Sequence, residues 1–179
     1  MAEIRFVAIA TEVVDAYRGG STDAYGRIPE QRTSDGSGLP CRHCLGDIDA
    51  GEDYLILAHR PFSELQPYAE TGPIFLHADA CERHPETAEP PEAFLQRPQM
   101  LLRGYDAGER IVYGTGTIAP TDRLASVASA IMDHPDVGFV HIRSATNNCF
   151  QCRVDAASPA GSRAPDRRPR PAERVHKDG

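Results

Sequence analysis

The sequence predicts an α+β fold: a single domain built on an antiparallel sheet, with a zinc-knuckle-like element and a disordered C-terminal tail. Three observations carry this. Short alternating runs rich in Val, Ile, Phe and Tyr recur with Gly, Pro and Asp between them. One segment, "PTDRLASVASAIMDHP", has clear helical periodicity. The order of elements, with hairpin patterns around "DAG" and in the final segment, suggests an antiparallel sheet.

The elements follow in chain order. In "IRFVAIATEVVDAYR", Ile4, Phe6 and Ala8 alternate before an apolar-periodic stretch that ends near Arg18, predicting a strand and then a helical turn. Residues 19–39 are dense in Gly, Ser, Thr, Asp and Pro and read as a long loop. "EDYLILAHRPF" is a strand that stops at Pro61. "GPIFLHADACERH" begins as a buried strand, Ile74 to Leu76, and is expected to turn helical. Residues 85–98, with four prolines, form an irregular surface segment. "MLLRGYDAGERIVYGTGTI" predicts a hairpin with Gly108 in its turn. Leu124, Val127, Ala128 and Ile131 lie at i, i+3, i+4 and i+7, with Thr121 as N-cap and Pro135 as stop. "VGFVHIRSATNNCFQCRVD" reads as strand, turn at 145–148, strand.

Length and composition bound the rest. A chain of 179 residues with 40% hydrophobic content fills one core, not two. The domain is expected over residues 1–155, which carry 13 Lys/Arg against 23 Asp/Glu, a balance of −10. Residues 156–179 carry +3 and almost no large apolar side chain, so burial cannot repay their ordering and a basic disordered tail is expected. The acidic body argues against nucleic acid as a ligand, because phosphate binding needs a basic surface. No apolar run approaches the roughly 18 residues of a membrane span, and "MAEIRFVAIA" lacks the pattern of a secretory leader, so a cytoplasmic protein is expected. Five cysteines, an odd number, then point to metal binding or thiol chemistry and away from a disulfide framework.

Cys41-x2-Cys44 precedes a strand, and His77-x3-Cys81 follows it. Zinc takes four borderline or soft ligands in a tetrahedron, and paired short spacings are the usual way to supply them. Cys41, Cys44, His77 and Cys81 are therefore candidate ligands for a mainly structural Zn2+. The alternatives are two buried thiols beside an unrelated His and Cys, or a redox pair; the latter motif opens a helix, whereas "CRHC" opens into a loop and a strand. His43 reads as a solvent-facing residue of the knuckle.

Strand alternation in the last hairpin assigns Val140, Ile142, Phe150, Cys152 and Val154 to the core face. It assigns His141, Arg143, Cys149, Gln151 and Arg153 to the other. A thiol beside an imidazole and guanidinium groups suggests an enzyme with Cys149 as nucleophile, His141 as base and Arg143 or Arg103 holding a small anionic substrate. Arg60, Arg103 and Tyr105 are candidate lining residues of an anion pocket, and a protein partner at this surface is the alternative. A third reading has Cys149 or water completing a catalytic zinc shell. The bland reading of the same face is an exposed polar strand surface. Oligomeric state does not follow from the sequence.

"CRHCLGDIDAGEDYLILAHRPF", "YAETGPIFLHADACERH", "LRGYDAGERIVYGTGTI" and "FVHIRSATNNCFQCRVD", in this order, resemble a bacterial family catalogued as domain of unknown function 1203. The resemblance covers most of residues 4–155. It implies one compact domain with Cys41, Cys44, His77, Cys81 and Cys149 in its recognisable motifs, and it implies no activity.

Overall fold

The computed structural model describes residues 1–157, and the tail expected beyond the domain lies, from residue 158, outside the described residues. The strands β1 (Ile4–Val7), β7 (Gln99–Tyr105), β8 (Thr117–Pro120), β9 (Phe139–Ser144) and β10 (Phe150–Ala156) form a five-stranded antiparallel sheet in the order β1-β10-β9-β7-β8. A second sheet has the order β2-β5-β6, from β2 (Glu30–Thr33), β5 (Asp53–His59) and β6 (Gly72–His77), and β3 (Leu39–Pro40) pairs with β4 (Asp47–Ile48). The helices are α1 (Thr11–Arg18), the single turn α2 (Glu92–Leu95) and α3 (Leu124–Met132), the last entered through a 3-10 turn at Thr121–Arg123. The fold is thus the expected α+β domain on antiparallel sheet.

Period-2 alternation explains why the large sheet has an apolar side. Phe6, Met100, Leu102, Val140, Ile142, Cys152 and Val154 all point to the face that α3 covers with Leu124 and Ala128. Gly104 allows this approach, since a Cβ there would lie 2.9 Å from the Thr115 hydroxyl and 3.0 Å from Val137. The opposite face is buried as well: His141 and Arg143 are enclosed, because the small sheet and the segment that follows β5 lie over them. A second apolar cluster under the small sheet contains Val14, Cys41, Ile48, Leu55, Leu57, Ile74, Leu76 and Phe150.

Several elements differ from expectation. The 19–39 segment contains β2, whose residues are exposed but whose backbone pairs with β5 from Glu30↔Ile56 to Thr33↔Asp53; an edge strand needs partners, not apolar side chains. "ADACERH" is not helical, and His77 ends β6. The irregular 85–98 segment includes α2, which buries Phe94. The "DAGE" turn closes tightly, but the strand returning to β7 is β8, with only Tyr105↔Ile111 paired beside the turn. Thr121 does not cap α3: its hydroxyl donates to the Arg97 carbonyl at 2.6 Å.

The largest correction is in the final hairpin. A bulge falls between Phe150, opposite Arg143, and Cys152, opposite Ile142. One extra residue reverses the alternation, so Phe150 leaves the α3 face and joins Arg143 and His141 on the other. Gln151, in the bulge, is buried.

Candidate metal centre

The first ligand pair sits on a turn held from several sides. The Cys41 amide donates to the Gly46 carbonyl at 2.9 Å, closing the loop, and the His43 amide points at Cys41 Sγ at 3.4 Å. Leu45 adopts a left-handed φ of 56°, which costs a non-glycine residue about 1 kcal/mol. Its side chain is buried in the main core, and that burial offsets the cost. The Arg42 amide donates to the Phe75 carbonyl at 3.1 Å, docking the turn against β6, the strand that ends in His77. Cys81 follows four residues later on the irregular chain, within reach without a helix.

These elements bring Cys41, Cys44, His77 and Cys81 together with their ligand atoms all within 4.8 Å of one another. Cys41 Sγ lies 4.0 Å from Cys81 Sγ, and Cys44 Sγ lies 3.6 Å from His77 Nδ1. A tetrahedron with metal–sulfur bonds of about 2.3 Å has edges of about 3.8 Å. The cluster can hold a metal.

The electrostatics suit a cation. Hydrogen bonds from Cys44 and then Cys81 hold the Cys41 thiol far below the usual thiol range, while the same contact with Cys41 pushes Cys44 up, so one negative charge is shared among the sulfurs. The sulfurs of Cys41 and Cys81 push His77 up to about 10, so the ring carries a proton toward the sulfurs that a bound cation would displace.

Around the four lies an outer layer that the spacing of the ligands does not reveal. Glu52 Oε2 is 3.2 Å from His77 Nε2, so the carboxylate holds an N–H at Nε2 and turns Nδ1 toward the sulfurs. Arg18, at the end of α1, donates Nη2 to Cys81 Sγ at 3.3 Å and Nε to the His77 carbonyl at 3.2 Å. His43 is buried, against the expectation of a solvent-facing residue; its Nδ1 meets Cys81 Sγ at 3.2 Å and its Nε2 meets the Thr11 hydroxyl at 3.0 Å. Burial pushes His43 below its ordinary value, which suits a neutral ring donating to sulfur and accepting from Thr11.

The residues expected to line an active face are distributed differently. His141 is fully buried, and its ring lies 4.7 to 5.2 Å from those of Tyr105, Phe150, Phe139 and Phe62. Both its ring nitrogens lack hydrogen-bond partners, and burial, followed by the charge of Arg143, holds the imidazole well below its usual range. The Cys149 thiol donates instead to the Asn147 carbonyl at 3.6 Å and lies outside the metal cluster. The expected thiol–imidazole contact is therefore not formed: His141 lies opposite Arg153, whereas Cys149 sits at the hairpin tip, its amide bonded to the Ser144 hydroxyl. Arg60 Nε reaches only the Phe62 carbonyl, at 3.5 Å. Arg103, Arg143 and Tyr105 do converge: Arg143 donates to the Tyr105 hydroxyl at 3.3 Å, and both arginines pair with Glu70. Glu70 was not legible in advance, since it belongs to a loop whose only sequence signal is its polarity.

The family model described as Protein of unknown function (DUF1203) matches residues 38–156, more than half of the chain, including the cluster and the final hairpin. No curated protein and no solved structure matches. No helix among the described residues is long and apolar enough to cross a membrane.

Proposed function

This chain belongs to the DUF1203 family, whose description carries no activity, and from its own residues we propose that Cys41, Cys44, His77 and Cys81 hold one Zn2+ as a structural centre in a bacterial cytoplasmic protein. The observation that carries the reading is the convergence of the four donor atoms within 4.8 Å, with two of the separations at 3.6 and 4.0 Å, close to the edges of a tetrahedral zinc site. Three sulfurs and one imidazole form the donor set that favours zinc over the oxygen-seeking divalent ions. Four protein donors fill the coordination shell and leave no open position for a substrate.

The outer layer supports the same reading. Three thiolates, a neutral imidazole and a divalent ion leave the centre at −1, and the Arg18 guanidinium at Cys81 supplies the opposite charge. Glu52 orients His77 as a carboxylate orients a ligating histidine. The metal would join the Cys41–Cys44 turn, the end of β6 and the irregular chain at Cys81, with α1 attached to it through Arg18. Binding energy of this kind is folding energy.

Elemental analysis of protein purified without added metal tests the reading. About one zinc per chain is expected, with chelation lowering the unfolding temperature; a metal-free protein of unchanged stability would refute it.

A further inference from the structure

On the buried face of the large sheet, β7 and β9 set two arginines side by side around one carboxylate. Arg103 Nη1 donates to Glu70 Oε1 at 2.8 Å, and Arg143 Nη1 lies 2.7 Å from Glu70 Oε2. One carboxylate thus bridges two guanidinium groups, one oxygen to each. Among the described residues neither arginine has a second acidic partner, so the group carries a surplus positive charge.

The two sides of this bridge are unequal in freedom. The Arg143 side chain is 4% exposed and fixed by the Asn148 carbonyl at 3.0 Å and the Tyr105 hydroxyl at 3.3 Å, and its Nε is buried without a partner. Glu70 is 37% exposed and sits on the loop between β5 and β6. Glu70 Oε2 is buried with no hydrogen-bond partner, so that oxygen is held by charge alone, whereas the buried guanidinium cannot be left without an anion. Beside the bridge opens a cleft of about 450 Å³, lined by His59, Glu70, Thr71, Arg143, Asn148 and Cys149 among others. That volume suits a small metabolite. His59 Nδ1 is a further buried polar atom with no partner.

We propose that this cleft binds a small carboxylate ligand, whose carboxylate takes the position on Arg143 and Arg103 that Glu70 holds, with the rest of the ligand between the hairpin tip and Thr71. Glu70 is then an internal competitor that leaves when the ligand enters. A planar group with two oxygens matches the arrangement, because each oxygen meets one guanidinium. The site is independent of the metal centre, and neither result below bears on whether zinc is bound.

The test is a titration of the metal-replete full chain with acetate, succinate and inorganic phosphate at low ionic strength, followed by amide chemical shifts. Saturable shifts at Thr71, Asn148 and Cys149 with acetate or succinate are expected. Glu70→Gln, which removes the competing charge but keeps the side chain's shape, should bind about tenfold more tightly than the wild type, and Arg103→Gln about tenfold more weakly. Shifts that fail to saturate with either carboxylate up to about 50 mM, well beyond a millimolar dissociation constant, would overturn the proposal. Equal affinity in wild type and folded Glu70→Gln would do the same, as would saturation by phosphate alone. Should Glu70→Gln not fold, the wild-type titration decides alone.

Discussion

The cysteine cluster and the arginine bridge are both places where charge is held inside the protein, yet they are built on opposite plans. At the cluster, four donors from the knuckle, the end of β6 and the chain after it converge within 4.8 Å, and Cys41, His77 and Cys81 are held by further contacts to His43, Glu52 and Arg18. A divalent ion would offset most of the negative charge of three thiolates. At the bridge, two arginines face one carboxylate on a loop, and a cleft lies alongside. A closed site serves stability. An open site with surplus charge is suited to binding something that comes and goes.

Breaking the closed site should have the largest effect. Cys44→Ser removes one of four ligands, and a structural metal of this type contributes on the order of 10 kcal/mol to folding at neutral pH. Loss of metal and cooperative unfolding at least 15 °C lower are expected by calorimetry, roughly what a few kcal/mol costs a domain of this size. Thiol counting sharpens the same contrast. In metal-replete protein, iodoacetamide should modify Cys149 alone among the five cysteines, since Cys152 is fully buried, and chelation should expose the cluster to the reagent.

An acid titration reads the buried lining of the cleft. Burial, followed by the charge of Arg42, pushes His59 down to about 4. Between the unfolded value of about 6.5 and the folded value, the unfolded chain binds a proton that the folded chain does not. Stability is therefore fully present above about pH 6.5 and falls as the pH drops toward 4, by about 3 kcal/mol from this group. His59→Phe, which keeps the ring packing against Tyr17 and Phe150, should flatten that part of the profile in urea denaturation relative to wild type.

Glu52→Gln is the mildest change. It keeps the size of the side chain but weakens its hold on His77 Nε2, so zinc affinity measured by competition with a chelator should fall about tenfold while the fold persists. An unchanged affinity would show that the carboxylate is incidental, and that the cluster is less tightly framed than its contacts suggest.

The two sites were not equally legible. Both ligand pairs are short-range patterns, two residues between the cysteines and three between His77 and Cys81, so their proximity needs little from the fold. The expected helix at "ADAC" was wrong and yet harmless, because four residues of irregular chain span the same distance as one turn. The layer outside the ligands was invisible for the opposite reason: Arg18 and Cys81 are 63 positions apart, and only the docking of α1 on the small sheet joins them. The same holds at the bridge. Arg103 and Arg143 stood out as residues of one face, but Glu70 comes to them across a loop, 33 positions from Arg103.

From the residues alone one could determine what local geometry enforces: where most of the apolar strands run, that the segment before Pro135 is an amphipathic helix, that the sheets are antiparallel, and which four side chains are candidate donors for a metal. Tertiary structure alone decided which sheet face each hairpin residue meets, since a single bulged residue at Gln151 moved Phe150 across the sheet. It also decided that His141 packs among aromatic rings and that His43 turns inward to Cys81. The reason is physical: strand periodicity and ligand spacing are properties of a few consecutive bonds, whereas register, bulges and charge partners are chosen by the burial of the whole sheet.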